Sequence, residues 1–236
     1  FQPLELYPPI QNLISVLEKK EFSKKTTIIS TYQSEFVNFG SRLSESNQIF
    51  RKNVHATGRI LRLLKYINFY FFAFFKIIQL KPSKIIYFDS ISALQALLYK
   101  KMYRKTELFV HYHEYTTINE YSSGMQIVNW NHYLEKKSFN EFKWISQTNK
   151  KRLELFHKDN PNVQSEILHI LPNYPLASWS KKIITINDTI DKPSERLKLV
   201  YIGALSIEDT YIKEIIDFVS ANQENYELEI FSLKIY

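Results

Sequence analysis

The chain has 236 residues, 44% of them hydrophobic and 15% aromatic, with four glycines, no cysteine and a formal net charge of +7. That length and composition specify a folded protein with a real core. The missing thiols exclude disulfides, zinc–thiolate centres and cysteine nucleophiles, and fit a reducing compartment.

The charge is unevenly placed. Residues 51–105 hold 12 Lys and Arg against one acid, Asp89, whereas residues 1–50 balance and residues 106–236 are net acidic. One basic surface follows, whose bland reading is a solvated face and whose sharper readings are an anionic membrane or a nucleic acid. Phe1–Pro9 has neither a basic nor an apolar segment, unlike a secretory leader.

After Pro8-Pro9, the helical spacing of Ile10, Leu13, Ile14 and Leu17 predicts an amphipathic helix to Lys20. Thr26–Thr31 is a β-branched strand. Gln33–Gly58 reads as a long polar loop with one short strand. Arg59–Leu80 reads as one helix in which Arg62, Lys65, Asn68, Lys76 and Gln79 share an arc of about 120° at 100° per residue. The rest is apolar, which predicts a core helix with a basic outer stripe, or alternatively an interfacial membrane helix. The uninterrupted apolar run is short for a transmembrane span and carries Lys76.

Lys84–Phe88 is a strand ending at Asp89, which can cap a helix over Ile91–Lys100. Within Glu107–Tyr115 the apolar run Leu108–Val110 fits a buried strand and stops at His111, His113 and Glu114, and Tyr115–Met125 reads as a polar loop. A helix over Asn129–Asn140 follows, then a strand over Trp144–Ser146, a helix over Asn149–His157 and a strand over Ile167–Leu171. Ala177–Glu195 changes character. Leu197–Ile202 restarts as a strand ending at Gly203, with a helix over Tyr211–Ser220 and a strand over Tyr226–Phe231.

Alternating strands and helices predict an α/β fold with a doubly wound parallel sheet. The expected domains are 1–176 and 197–236, joined by a linker over 177–196. The second Rossmann-like unit holds only about one βαβ, so the chain is expected to be part of a longer protein. In such sheets ligands sit beyond the carboxyl ends of the strands, which marks His111, His113 and Glu114 as a candidate active-site edge. In an extended chain His111 and His113 point the same way.

The order of His111-Tyr112-His113-Glu114, Trp144-Ile145-Ser146-Gln147-Thr148, Leu171-Pro172-Asn173-Tyr174-Pro175 and Val200-Tyr201-Ile202-Gly203 resembles nucleotide-sugar glycosyltransferases of the GT-B fold. In particular it is similar to the retaining family of bacterial polysaccharide and lipopolysaccharide enzymes. The resemblance covers most of the chain from Lys81 onward. It implies transfer of a sugar from a nucleotide-sugar donor to a glycan or lipid-linked acceptor in surface polysaccharide synthesis. His113 and Glu114 would be catalytic, in a cleft between the domains. Gly203 and Asn173 would meet the donor, and His111, Asp89 and Tyr115 the acceptor.

The resemblance further implies a cytoplasmic protein, peripheral on the inner face of the membrane. Arg62, Lys65, Lys100 and Lys101 would then be membrane-facing. No cofactor and no metal are expected, since His111 and His113 are too few ligands. The chain departs from the family at three places. Ile10-Gln11 stand where a glycine pair is common, Ala204 and Asp209 or Thr210 stand where basic residues are common, and His111 replaces an acid.

A nucleotide-sugar epimerase of the same fold is the alternative enzyme, and a non-catalytic sugar-binding or scaffold domain the alternative outside enzymes. Nucleic-acid binding is disfavoured because the basic block alternates with buried-type aromatic runs. A nicotinamide dehydrogenase is disfavoured because no G-x-G-x-x-G occurs.

Overall fold

The structure, a computed structural model, describes residues 8–19, 26–32, 48–54, 56–173, 196–203 and 211–232. The linker and the positions of Tyr174, Pro175, Ala204, Asp209 and Thr210 lie outside them. The chain divides into two units, Phe1–Trp179 and Ser180–Tyr236.

In the first unit, α1 (Pro8–Lys19) precedes strands β1 (Thr27–Tyr32) and β2 (Gln48–Asn53), which pair in parallel. Helix α2 (Arg59–Leu80) follows and stops where Lys81 turns left-handed (φ 48°) ahead of Pro82. Then come β3 (Lys84–Phe88), a tight turn over Ser90–Ser92, α3 (Ala93–Met102) and β4 (Glu107–Tyr112). Helices α4 (Ile118–Ser123) and α5 (Gln126–Ser138) lead to β5 (Trp144–Gln147), α6 (Lys150–Asp159) and β6 (Leu168–Ile170).

Strands β3, β4, β5 and β6 form one parallel sheet in that order. Leu108 and Val110 on β4 and Ile145 on β5 have no exposed surface, and pack with Tyr87, Tyr112, Phe139, Phe142 and Phe156. These apolar runs form strands because a parallel sheet buries both faces. The opposite face of β4 presents His111, whose register partners are Phe88 and Ser146.

The segment read as a polar loop after His113 contains α4. Its start is a capping box: Thr117 Oγ1 accepts from Glu120 N at 3.2 Å, and Thr117 N donates to Glu120 Oε2 at 2.6 Å. The spacing Thr117-x-x-Glu120 is the signal for it in the sequence.

Helix α2 corrects the expectation of a core helix with a basic outer stripe. Among its described side chains only Phe69 and Ala73 are buried, against Val54 with Ile29, Tyr66 and Phe72 alongside. Ile60, Leu64, Ile67, Phe71 and Phe75 are exposed. Two residues of the polar arc meet β2: Lys76 Nζ stands 4.2 Å from the Phe50 ring centre and Asn68 accepts from Lys52 Nζ at 2.7 Å, while Arg62 and Gln79 are exposed. The physical reason lies in β2. Its Phe50 takes the Lys76 cation on a ring face, and its Lys52 gives Asn68 a hydrogen bond.

In the second unit, β7 (Leu197–Ile202) and β8 (Tyr226–Phe231) pair in parallel over their full lengths, with α7 (Ile212–Ala221) between them. Helix α7 buries Ile212 and Val219, and Phe218 packs on Tyr226 with ring centres 5.2 Å apart.

Candidate active site

The carboxyl ends of β3 and β4 are knotted together by Asp89 and His113. Asp89 N donates to His111 O at 3.0 Å, and Asp89 Oδ1 accepts from His113 N at 2.9 Å. Asp89 pays for neither bond with ease: its φ of 56° and ψ of 157° lie in a region that L-residues rarely adopt, a strain of about 1–3 kcal/mol. The carboxylate therefore ties the neighbouring strand rather than capping the turn, since it makes no cap hydrogen bond to Ser90–Ser92. His113 is half-buried and Glu114 exposed at this edge.

A buried polar network stands behind the edge. Glu135 on α5 is fully buried, and its Oε1 accepts from Tyr87 OH at 2.7 Å and from Tyr112 OH at 3.0 Å. Burial, and the Glu135 carboxylate after it, push both phenols well above their ordinary pKa. Glu135 Oε2 lies 3.6 Å from His132 Nδ1. The His132 ring stacks on Tyr121 with centres 3.7 Å apart, and Tyr121 OH meets Ser90 Oγ at 2.9 Å. Contacts thus run from the residue after Asp89 into the α5 core.

The two histidines lie near each other but differ in burial. His111 is fully buried between Phe88 and Ser146, with Nδ1 2.8 Å from Ser146 Oγ. Desolvation, helped by nearby His113, lowers its pKa to about 4. It sits behind the edge, with no surface for an acceptor, because a central strand covers both its faces. Tyr115 is half-buried, and its hydroxyl donates to Asp159 Oδ2 on α6. Burial first and Asp159 second push this phenol up to about 12. Asn173 is exposed just beyond β6.

Gly203 ends β7 in the second unit, where its N–H donates to Phe231 O at 3.1 Å. Its φ lies outside the left-handed region, and an added Cβ would meet only the hydroxyl end of the Tyr201 ring, at 3.2 Å. Among the described residues, no three His, Asp or Glu side chains cluster tightly enough to hold a metal ion.

Of the four basic residues expected to face a membrane, Arg62 and Lys101 are exposed and Lys65 is half-buried. Lys100 does otherwise: its Nζ donates to Arg104 O at 2.6 Å and Thr106 O at 2.8 Å, closing the α3–β4 turn.

No protein-family model and no curated protein matches the chain. Among solved structures, a Listeria monocytogenes protein provisionally assigned as UDP-N-acetylglucosamine 2-epimerase matches 98% of this chain, at 13% identity and a TM-score of 0.61. The chain spans 60% of the length of that structure. The fold is Rossmann-like, of the GT-B type. A more distant match, at 11% identity and a TM-score of 0.46, is the UDP-GlcNAc 2-epimerase from Neisseria meningitidis bound to UDP-GlcNAc. It covers 87% of this chain and 65% of its own.

The GT-B-type edge contains a residue that the sequence reading passed over. Arg152, on the first turn of α6, donates from Nη1 to His113 O and to Thr148 Oγ1, both at 2.7 Å. A cation in a first turn opposes the helix dipole, and Arg152 follows the helix cap Asn149 by three residues. Lys150 and Lys151 share that placement and stay exposed, so the sequence does not single out Arg152, whose tertiary partner is His113 O. Glu135 was also passed over. Its signal is an acid one helical turn from Asn131 and His132 on the face of α5 that is buried.

Proposed function

We propose that the full protein is a nucleotide-sugar enzyme, and that its reaction is epimerisation of a nucleotide-activated sugar. The observation that carries the proposal is the Asp89–His113 clasp beside exposed Glu114 at the carboxyl edge of a parallel sheet, where such folds bind ligands. The likeness to the Listeria structure along nearly the whole chain supports this reading.

Epimerisation by proton transfer takes a C–H proton from one face while the electron pair forms a C=C bond and expels the neighbouring nucleoside diphosphate; re-addition of the diphosphate delivers a proton to the opposite face. Each transfer needs a group within hydrogen-bond reach. Glu114 is the exposed carboxylate of the edge and takes the role of base. The clasp through Asp89 and the Arg152 bond to His113 O fix the backbone that carries it. Preorganised geometry of this kind supports catalysis because placement errors of about 1 Å cost about 100-fold.

Glycosyl transfer is the second reading. The order of His113-Glu114, Pro172-Asn173 and Gly203 favours it, as does a glycine at Gly203 that backbone conformation does not demand.

Proton NMR of the full protein with UDP-N-acetylglucosamine in D₂O tests both. Epimerisation gives a second set of anomeric signals and deuterium at the inverted carbon with no acceptor added. Release of UDP only when a glycan acceptor is present establishes transfer instead. An unchanged spectrum under both conditions overturns the enzyme reading for this substrate.

A further inference from the structure

We propose that the exposed apolar arc of α2 docks on an anionic lipid surface, with the helix lying in the membrane plane. The inference stands apart from the reading of the active site.

Ile60, Leu64, Ile67, Phe71 and Phe75 fall within about 80° of arc at 100° per residue. They are 43–77% exposed, and Leu61 and Leu63 widen the patch at the helix start. From Ile60 to Phe75 the arc runs about 22 Å. A contiguous apolar patch of this kind marks an interaction surface.

The opposite arc holds the helix to its own domain. Phe69 and Ala73 are buried against Val54, Tyr70 OH donates to Ile91 O at 2.6 Å, and Asn131 Nδ2 donates to Tyr70 OH at 3.3 Å. Over Ile60–Leu80, α2 is the one helix among the described residues long and apolar enough to cross a membrane, with a mean hydropathy of 1.3. Crossing would strip it from those partners. Lying on the surface keeps them, and an amphipathic helix does so with its apolar side in the headgroup–acyl boundary.

Charge selects the occupant. Lys52 and Lys76 border Phe71 and Phe75 in one shallow groove with Asn68, Phe72 and Gln79. No acid occurs between residues 51 and 88. In a twofold dimer the same patch meets itself, so two basic rims would face each other at a cost. Anionic headgroups complement them, and each basic residue near such a surface strengthens binding by about fivefold. Arg62 lies about 180° round the helix from Phe71, so Lys52 and Lys76 replace it as the rim.

The test is co-sedimentation of the full protein with vesicles of phosphatidylglycerol and phosphatidylcholine, against phosphatidylcholine alone. Binding to the anionic vesicles is expected, lowered at least tenfold by Phe71→Asp or Leu64→Asp and about fivefold by each of Lys52→Gln and Lys76→Gln. Far-UV circular dichroism checks the fold, and Ile60→Asp, in the first turn, is the substitute where Phe71→Asp perturbs it. No binding to anionic vesicles overturns the proposal, and so does equal binding to phosphatidylcholine alone. A dimer in light scattering that Phe71→Asp converts to monomer also overturns it, and assigns the arc to a second copy.

Discussion

Asp89 and His113 clasp the tips of two neighbouring strands, through a side-chain bond of 2.9 Å that Asp89 reaches only in a strained backbone conformation. A hydrogen bond to a charged group contributes about 1.5–3 kcal/mol. Asp89→Ala is expected to lower the unfolding free energy by about that amount and turnover by about 100-fold. Asp89→Asn keeps an acceptor oxygen and is expected to retain most of the stability. Urea melts and steady-state kinetics on the pair separate the clasp from the charge. Equal stability of Asp89→Ala and wild type would remove the clasp as a structural element.

Glu114 is exposed, so its replacement bears on chemistry and not on folding. Glu114→Gln is expected to lower turnover by 100-fold or more with an unchanged melting temperature. His113→Ala is expected to lower turnover as well. Full activity of both variants would move the reaction away from this edge.

His111 makes stability depend on pH. Its folded pKa is about 4, below the ordinary value near 6.5. The ring is neutral in the fold, and the unfolded chain takes up the proton first as pH falls. Stability is therefore complete above about pH 6.5 and is lost progressively down to about pH 4, a change on the order of 3 kcal/mol. Unfolding free energies at pH 7.5 and 4.5 are expected to differ less in His111→Asn than in wild type. An unchanged difference would contradict the burial of the ring.

Glu135 holds two buried phenols. Glu135→Ala leaves both hydroxyls without their acceptor, at about 1–3 kcal/mol each. Glu135→Gln keeps one carbonyl oxygen and is expected to cost less. A double-mutant cycle of Glu135→Gln with Tyr87→Phe is expected to show coupling of at least 0.5 kcal/mol. Additive effects would dissolve the network.

Lys100 separates structure from surface charge. Lys100→Met removes two bonds to carbonyls and is expected to lower stability by about 1–3 kcal/mol, while vesicle binding stays at the wild-type level. Loss of vesicle binding with unchanged stability would return Lys100 to the membrane rim.

Much of the architecture was legible before any coordinate. Alternation and apolar runs are local properties. They placed Lys84–Phe88, Leu197–Ile202 and Tyr226–Phe231 at the residues observed, and Arg59–Leu80 as one helix. The α/β class followed from their order, and His113 and Glu114 stand at a strand tip, as the break in the apolar run implies. Helix α4 escaped because its capping box was overlooked in a polar stretch. Arg152 and Glu135 escaped because their partners are 39 residues away on His113 and 48 residues away on Tyr87.

The sequence by itself determined the order and kind of most strands and helices, and that one block of the chain is basic, since periodicity and charge are carried by neighbouring residues. Only the tertiary structure decided which side of α2 faces out, that His111 is sealed in while His113 is not, and that the Asp89 carboxylate bonds the next strand instead of capping its own turn. Burial and pairing depend on which distant segment arrives at a side chain. For α2 the arriving segment was β2, whose Lys52 and Phe50 meet Asn68 and Lys76, while Ile60, Leu64, Ile67, Phe71 and Phe75 stay exposed.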